Sequence, residues 1–241
     1  MTRDHHRKQA KELKQRAREK EVRKARNASH NISLRDYVLQ LARGQWCVCY
    51  EWGQMGMSNL ICIRKTYTGY GASIFLLDEY CLGVKDADIL RDVQLSSIEE
   101  QMPERDARSV SPAYAMKKIN ALIAWAREIG FDPHAKTYVA TEIFRGVDPG
   151  DCHESFSFGR PEDGQPMYIS GPYDSPDRIR SILNKLQRLG PDNHSFAVGI
   201  DDSLRRSLML DTNPSQLQAS EELNDVEENK LIKAPQRSES T

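Results

Sequence analysis

Residues 71–89, GASIFLLDEYCLGVKDADI, constrain this chain more than any other stretch. The segment opens with the apolar Ala72, Ile74, Leu76 and Leu77, and its Ile and Phe favour a pleated backbone. It then turns polar within a few positions, through Asp78, Glu79, Lys85, Asp86 and Asp88. No other segment puts so much expected burial beside so many ionisable groups. The reading is a buried strand over 72–82 that closes in a charged turn. Gly83 within that turn marks a positive φ or a close backbone approach.

The flanking segments fit the same sheet. Residues 45–52 (QWCVCYEW) and 60–67 (LICIRKTY) are strand-like, and short glycine-containing links join them to each other and to 72–82. Such links favour antiparallel neighbours, so a three-stranded meander is expected. Before it, Ser33 is placed to cap a helix carrying Leu34, Tyr37, Val38 and Leu41 at helical spacing, and Gly44 stands where a left-handed cap would end it. After it, residues 88–104 suit a helix closing near Pro103, and 105–111 a polar linker. Ser111 and Pro112 then open the clearest helix, with Ala115, Ile119, Leu122, Ala126 and Ile129 on one face. Lys117, Lys118, Arg127 and Glu128 are expected to face water.

Farther on, 136–144 (KTYVATEIF) reads as a further strand, and 155–158 with 167–170 as a short hairpin around Asp163-Gly164. Ser175-Pro176 starts a helix bearing Ile179, Ile182, Leu183 and Leu186, and 195–200 is a last strand. Strands clustered ahead of helices define an α+β fold rather than alternating parallel units. One domain is expected over 33–210, between a basic arm at 1–32 and a disordered polar tail at 211–241.

Composition excludes several classes. No apolar run approaches the roughly 18 residues that a membrane span needs, and the N-terminus has no apolar signal core, so a cytosolic location is expected. The cysteines at 47, 49, 62, 81 and 152 are odd in number and irregular in spacing, which argues against a disulfide framework. Cys47 and Cys49 would share a face of a regular strand. With no CxxC pair to complete a ligand set, no metal centre is expected, nor is any cofactor.

The net charge of −1 hides a strong asymmetry. Residues 1–26 hold eleven Lys and Arg against four acids, about +7, which leaves about −8 for the rest. Only Leu13 and Val22 among residues 3–28 are large and apolar, so this stretch offers no stripe for a core. It reads as a solvated arm, flexible or partly helical. Lys8, Lys11, Lys14, Arg16, Arg18, Lys20, Arg23, Lys24 and Arg26 are candidates to contact nucleic-acid phosphates, with an acidic protein surface as the other possible partner.

Candidate chemistry lies in the body. Asp78 and Asp86 follow the buried strand, and Glu142 lies on the expected strand at 136–144. Carboxylates at strand ends can hold Mg²⁺ for phosphodiester cleavage. Cys81 beside Lys85 is a candidate thiolate, and His134 in FDPH a candidate acid or base. The strand order resembles the opening of a ribonuclease H-like nuclease, whose first strand carries an essential acid; here that strand offers only Glu51. The pattern LLDEYCLGVKDA, then a PAYA-type helix, GFDPH and FGRPEDGQPMYISGPYDSP, resembles an uncharacterised bacterial protein family over about residues 46–187, most distinctively in YCLGVKDA. That resemblance implies no activity. The leading expectation is a binding or adaptor module with a basic arm; the alternative is a metal-dependent hydrolase or nuclease.

Overall fold

The computed structural model describes residues 3–100, 102 and 107–198, without the side chains of 3–10, 26, 29 and 30. The expected tail at 211–241 lies outside these residues. The chain divides into two compact units, 1–166 and 167–241, where the sequence reading has one domain over 33–210. The division falls at Pro166, at the end of the glycine- and proline-containing loop that was expected to turn a hairpin.

The first unit is an antiparallel sheet with helices, and the α+β class holds. Helix α1 (Arg3–His30) leads into α2 (Leu34–Leu41), which starts where the Ser33 hydroxyl accepts the Asp36 N–H. Strands β1 (Gln45–Gln54), β2 (Met57–Lys65) and β3 (Tyr70–Asp78) form the expected meander. A fourth strand, β4 (Gly83–Val93), continues it where the sequence suggested a charged turn and the start of a helix. Of that expected helix, α3 (Leu95–Glu99) is formed. Strand β5 (Arg108–Val110), within the expected linker, pairs with the free edge of β1 and gives the order β4-β3-β2-β1-β5.

The charges of β4 hid it, and so did its register. The pairing with β3 shifts between Leu76 and Leu77, opposite Asp86 and Val84. An extra residue at such a bulge breaks the two-residue period, so Val84, Ala87 and Ile89 all reach the same core at uneven spacing.

Both faces of the sheet are covered. Leu60, Cys62, Phe75 and Leu77 pack on one side with α2, α4 (Pro112–Glu128) and the segment 137–144. Ile61, Ile63 and Ala72 pack on the other with Ile98 of α3. Burial on both faces is why β2 reads as an unbroken apolar run.

Residues 136–144 are not a strand. They form α5 (Thr137–Ala140) and a 3₁₀ turn (Thr141–Phe144). Thr137, Ala140 and Phe144 are buried at i, i+3 and i+7, so helical periodicity outweighs the β-branched composition. Residues 155–158 form no strand either, and the expected hairpin is replaced. In the second unit, β6 (Met167–Ile169) pairs in parallel with β7 (Ser195–Ala197), and α6 (Pro176–Gln187) lies between them in sequence.

Two glycines show how closely the first unit packs. Gly83 has φ +73°, and a Cβ there would lie 2.6 Å from Ala126 Cβ of α4, so both expectations for it hold. Gly44 is not a left-handed cap. A Cβ there would stand 2.4 Å from the Lys65 carbonyl oxygen, so close approach to β2 requires the glycine.

Candidate functional site

Two groups of charged side chains stand out in the first unit, one around buried Glu51 and one on α1. The inner set centres on Glu51 of β1, which is buried. The pairing of β1 with β5 puts Arg108 directly opposite Glu51. Ser111 caps α4 by accepting the Tyr114 N–H, with Pro112 in the first turn. This start places Tyr114 and Lys118 four residues apart on one helical face, and both reach the same carboxylate. Lys118 Nζ donates to Glu51 Oε1 at 2.5 Å and to Glu79 Oε1 at 2.7 Å. Arg108 donates twice to Glu51 Oε2, at 2.6 and 3.1 Å, and the Tyr114 hydroxyl donates to the same oxygen at 2.8 Å. Ser58 Oγ donates to Glu79 Oε1 at 2.5 Å.

Burial alone would push the Glu51 carboxyl up, but hydrogen bonds and charge from Lys118, with Tyr114 and Arg108, outweigh it and hold the group below its ordinary value. The Tyr114 hydroxyl is pushed up by burial and by the adjacent Glu51. A cavity of about 280 Å³ borders Glu51, Ser58, Glu79, Arg108 and Lys118. Two carboxylates meet two cations here, and both oxygens of Glu51 receive donors. Chemically the network is a clamp tying α4 and β5 to β1.

The sequence reading missed this network because Lys118 was assigned to solvent, whereas it is buried. A readable signal was its neighbourhood: Lys118 directly precedes the apolar Ile119 and follows Tyr114 by one helical turn.

The expected catalytic residues fall into two pairs, Asp78 with Cys81 and Asp86 with His134, and Glu142 stands apart from both. Asp78 is buried at the end of β3, where it accepts the N–H groups of Tyr80 and Cys81. Burial raises its carboxyl from 3.8 to about 6. Cys81 is fully buried, and burial followed by the nearby Asp78 pushes its thiol up, away from a reactive thiolate. Asp86 lies on β4, 3.3 Å from His134 Nδ1. Asp88, also on β4, pairs with Lys136 at 2.9 Å. Glu142 is in the 3₁₀ turn, 3.9 Å from Arg35 and from Arg145. Among the described residues, no three His, Cys, Asp or Glu side chains gather to hold a metal ion. All five cysteines are free. The β1–β2 register shift between Trp46 and Val48 leaves Cys47 exposed and Cys49 buried, so they do not share a face.

The outer set is on α1. Its 28 residues include no glycine or proline and form one continuous helix, where the sequence left a flexible arm as the other possibility. From Lys11 to Glu21 every side chain is exposed; Val22 and Ala25 are half-buried on the side facing the body. Lys11, Lys14, Arg16, Arg18, Lys20, Arg23 and Lys24 are all exposed, and none makes an ion pair among the described residues. Lys8 and Arg26 belong to the same helix, but their side chains are outside the described set. Arg16, Lys20, Arg23 and Lys24 stand at i, i+4, i+7 and i+8, within one sector of the helix whose Arg23 edge borders the side bearing Val22. They span about 12 Å of helix axis.

No family model, curated protein or solved structure matches this chain. The resemblance carried by YCLGVKDA therefore rests on its own residues. No helix among the described residues is long and apolar enough to cross a membrane.

Proposed function

We propose that this protein is a nucleic-acid-binding module in which α1 presents the surface that holds the phosphate backbone. One observation carries the reading: seven exposed cations without ion pairs among the described residues stand on a single helix, four of them aligned on one face. Cations that serve the fold are bonded within it, as Lys118 and Arg108 are to Glu51 and Arg64 is to backbone carbonyls. A basic helical face meets a phosphodiester chain by exchanging condensed counterions for Lys and Arg, which makes affinity steeply salt-dependent and largely independent of sequence. Five free cysteines suit a reducing compartment, and we place the protein in the cytoplasm. The hydrolase reading has less support, since Asp78, Asp86 and Glu142 occupy unlike environments and Glu51 is already saturated.

Competition tests the assignment. A labelled oligonucleotide bound to the protein is challenged with unlabelled polynucleotide and with poly-glutamate of equal charge. The polynucleotide is expected to compete at far lower concentration. The variant Arg16→Gln/Lys20→Gln/Arg23→Gln/Lys24→Gln is expected to lose most binding while keeping the wild-type melting temperature. Equal competition by poly-glutamate would instead identify an acidic protein surface as the partner. A variant that binds like wild type would remove α1 from the account.

A further inference from the structure

We infer that the nucleic acid is single-stranded, and that one of its bases stacks on Tyr67 in a trough between α1 and the β2–β3 turn. This inference rests on the α1 reading and names the class of nucleic acid.

The trough consists of two adjoining cavities. One, of about 490 Å³, lies among Ala25 and Ala28 of α1, the C-terminal end of α2, and the β2–β3 turn. The other, of about 430 Å³, continues along α1 beside Arg18, Glu19, Val22 and Arg23, where two cations outnumber one acid. Thr68 borders both. The walls bear unpaired positive charge on two sides: Arg18 and Arg23 from α1, and Arg43 and Lys65 from the body, all exposed and without ion pairs among the described residues. Asp92 lies on the floor, buried, with its carboxylate bonded to the Thr68 hydroxyl.

Tyr67 is the feature that separates single strands from duplexes. Tyr67 is 66% exposed at the tip of the turn, outside the hydrophobic core. The turn beneath it is stiff. Thr66 N–H and Thr66 Oγ1 both donate to the Gly69 carbonyl, at 2.8 and 3.0 Å, and Gly69 N–H donates back to Thr66 Oγ1 at 3.1 Å. The backbone that carries the body-side cations is held as well. Buried Arg64 donates to the carbonyls of Ala42 and Gly44 at 2.7 and 2.9 Å, with its guanidinium 3.8 Å over the Trp46 ring. That clamp fixes the end of α2, and so Arg43, against β2 and Lys65.

An exposed ring on a hydrogen-bonded turn between two banks of cations is an arrangement that holds a single strand: phosphates follow the charge, and a base lies on the π-face. Duplex bases are already stacked on one another and would leave Tyr67 without a partner.

Fluorescence anisotropy with oligo-dT, oligo-rU and a duplex of equal length, at one salt concentration, tests the inference. Wild type is expected to bind the single strands more tightly than the duplex. Tyr67→Ala is expected to weaken single-strand binding roughly five- to hundredfold, with Tyr67→Phe near wild type and duplex binding unchanged in both. A loss in either the dT or the rU series supports the inference and identifies the preferred sugar. Tyr67→Ala binding single strands like wild type would overturn it; if the α1 variant with four glutamines still fails to bind, the reading of α1 survives. Should both variants bind like wild type, both proposals fall.

Discussion

The network around Glu51 and the cations of α1 are made of the same side chains put to opposite uses. Lys118 is buried between two carboxylates, and Arg108 reaches Glu51 through two hydrogen bonds. Arg16, Lys20, Arg23 and Lys24 are exposed and have no such partners among the described residues. Charge that is removed from water must be matched within the protein, because an isolated buried charge is prohibitively costly. Charge left in water costs little and remains available to another molecule. Burial and pairing therefore distinguish the charges that hold the fold from those that meet a partner, where composition alone does not.

The comparison can be broken first at Lys118. Lys118→Met leaves Glu51 and Glu79 without their shared cation and is expected to cost on the order of 3–5 kcal/mol in urea denaturation. Adding Glu51→Gln should recover part of that loss, since the uncompensated carboxylate is then gone. Nucleic-acid affinity of the folded fraction should not change in either variant.

Asp78 is an intermediate case, a buried anion held by backbone amides. Its carboxyl is raised from 3.8 to about 6 by burial, so the folded protein holds its proton more tightly than the unfolded chain does. The stability from this group is fully present below about pH 4 and is lost as the pH rises through about 6. Between pH 4 and 7 wild type should lose about 2–3 kcal/mol relative to Asp78→Asn, in paired denaturation curves across pH. Glu51 has the opposite sign: its carboxyl is held below its ordinary value, and its contribution is lost as the solution becomes acidic.

Gly83→Ala sharpens the packing side of the comparison. It forces a side chain into a left-handed conformation against Ala126 and should cost on the order of 1–3 kcal/mol, read as a lower melting temperature. Smallest in stability are the α1 substitutions, each expected to stay within about 0.5 kcal/mol because no contact is lost.

Much of the fold was legible before the structure. The three caps at Ser33, Ser111 and Ser175 are each followed by a helix, and the meander of β1, β2 and β3 follows from alternating apolar runs and short glycine-containing links. Two elements were misread for physical reasons. A bulge and five charged side chains concealed β4, and β-branched residues concealed the helical spacing of Thr137, Ala140 and Phe144. The site was only half legible. The basic character of α1 is local, so it shows in the sequence. The clamp depends on Glu51, Glu79, Arg108 and Lys118, which lie far apart in the chain and meet only through the β1–β5 pairing and the start of α4. Tyr67 looked like an ordinary strand residue until its turn was placed.

The most direct test is the slope of log affinity against log salt for a single-stranded oligonucleotide, measured on wild type and on the α1 variant with Arg16, Lys20, Arg23 and Lys24 changed to Gln. The account predicts that the magnitude of the slope falls by about 3 if all four contact phosphate, with no change in unfolding free energy. An unchanged slope, or a variant that loses stability along with binding, would contradict the division between charges that build the body and charges that meet a partner.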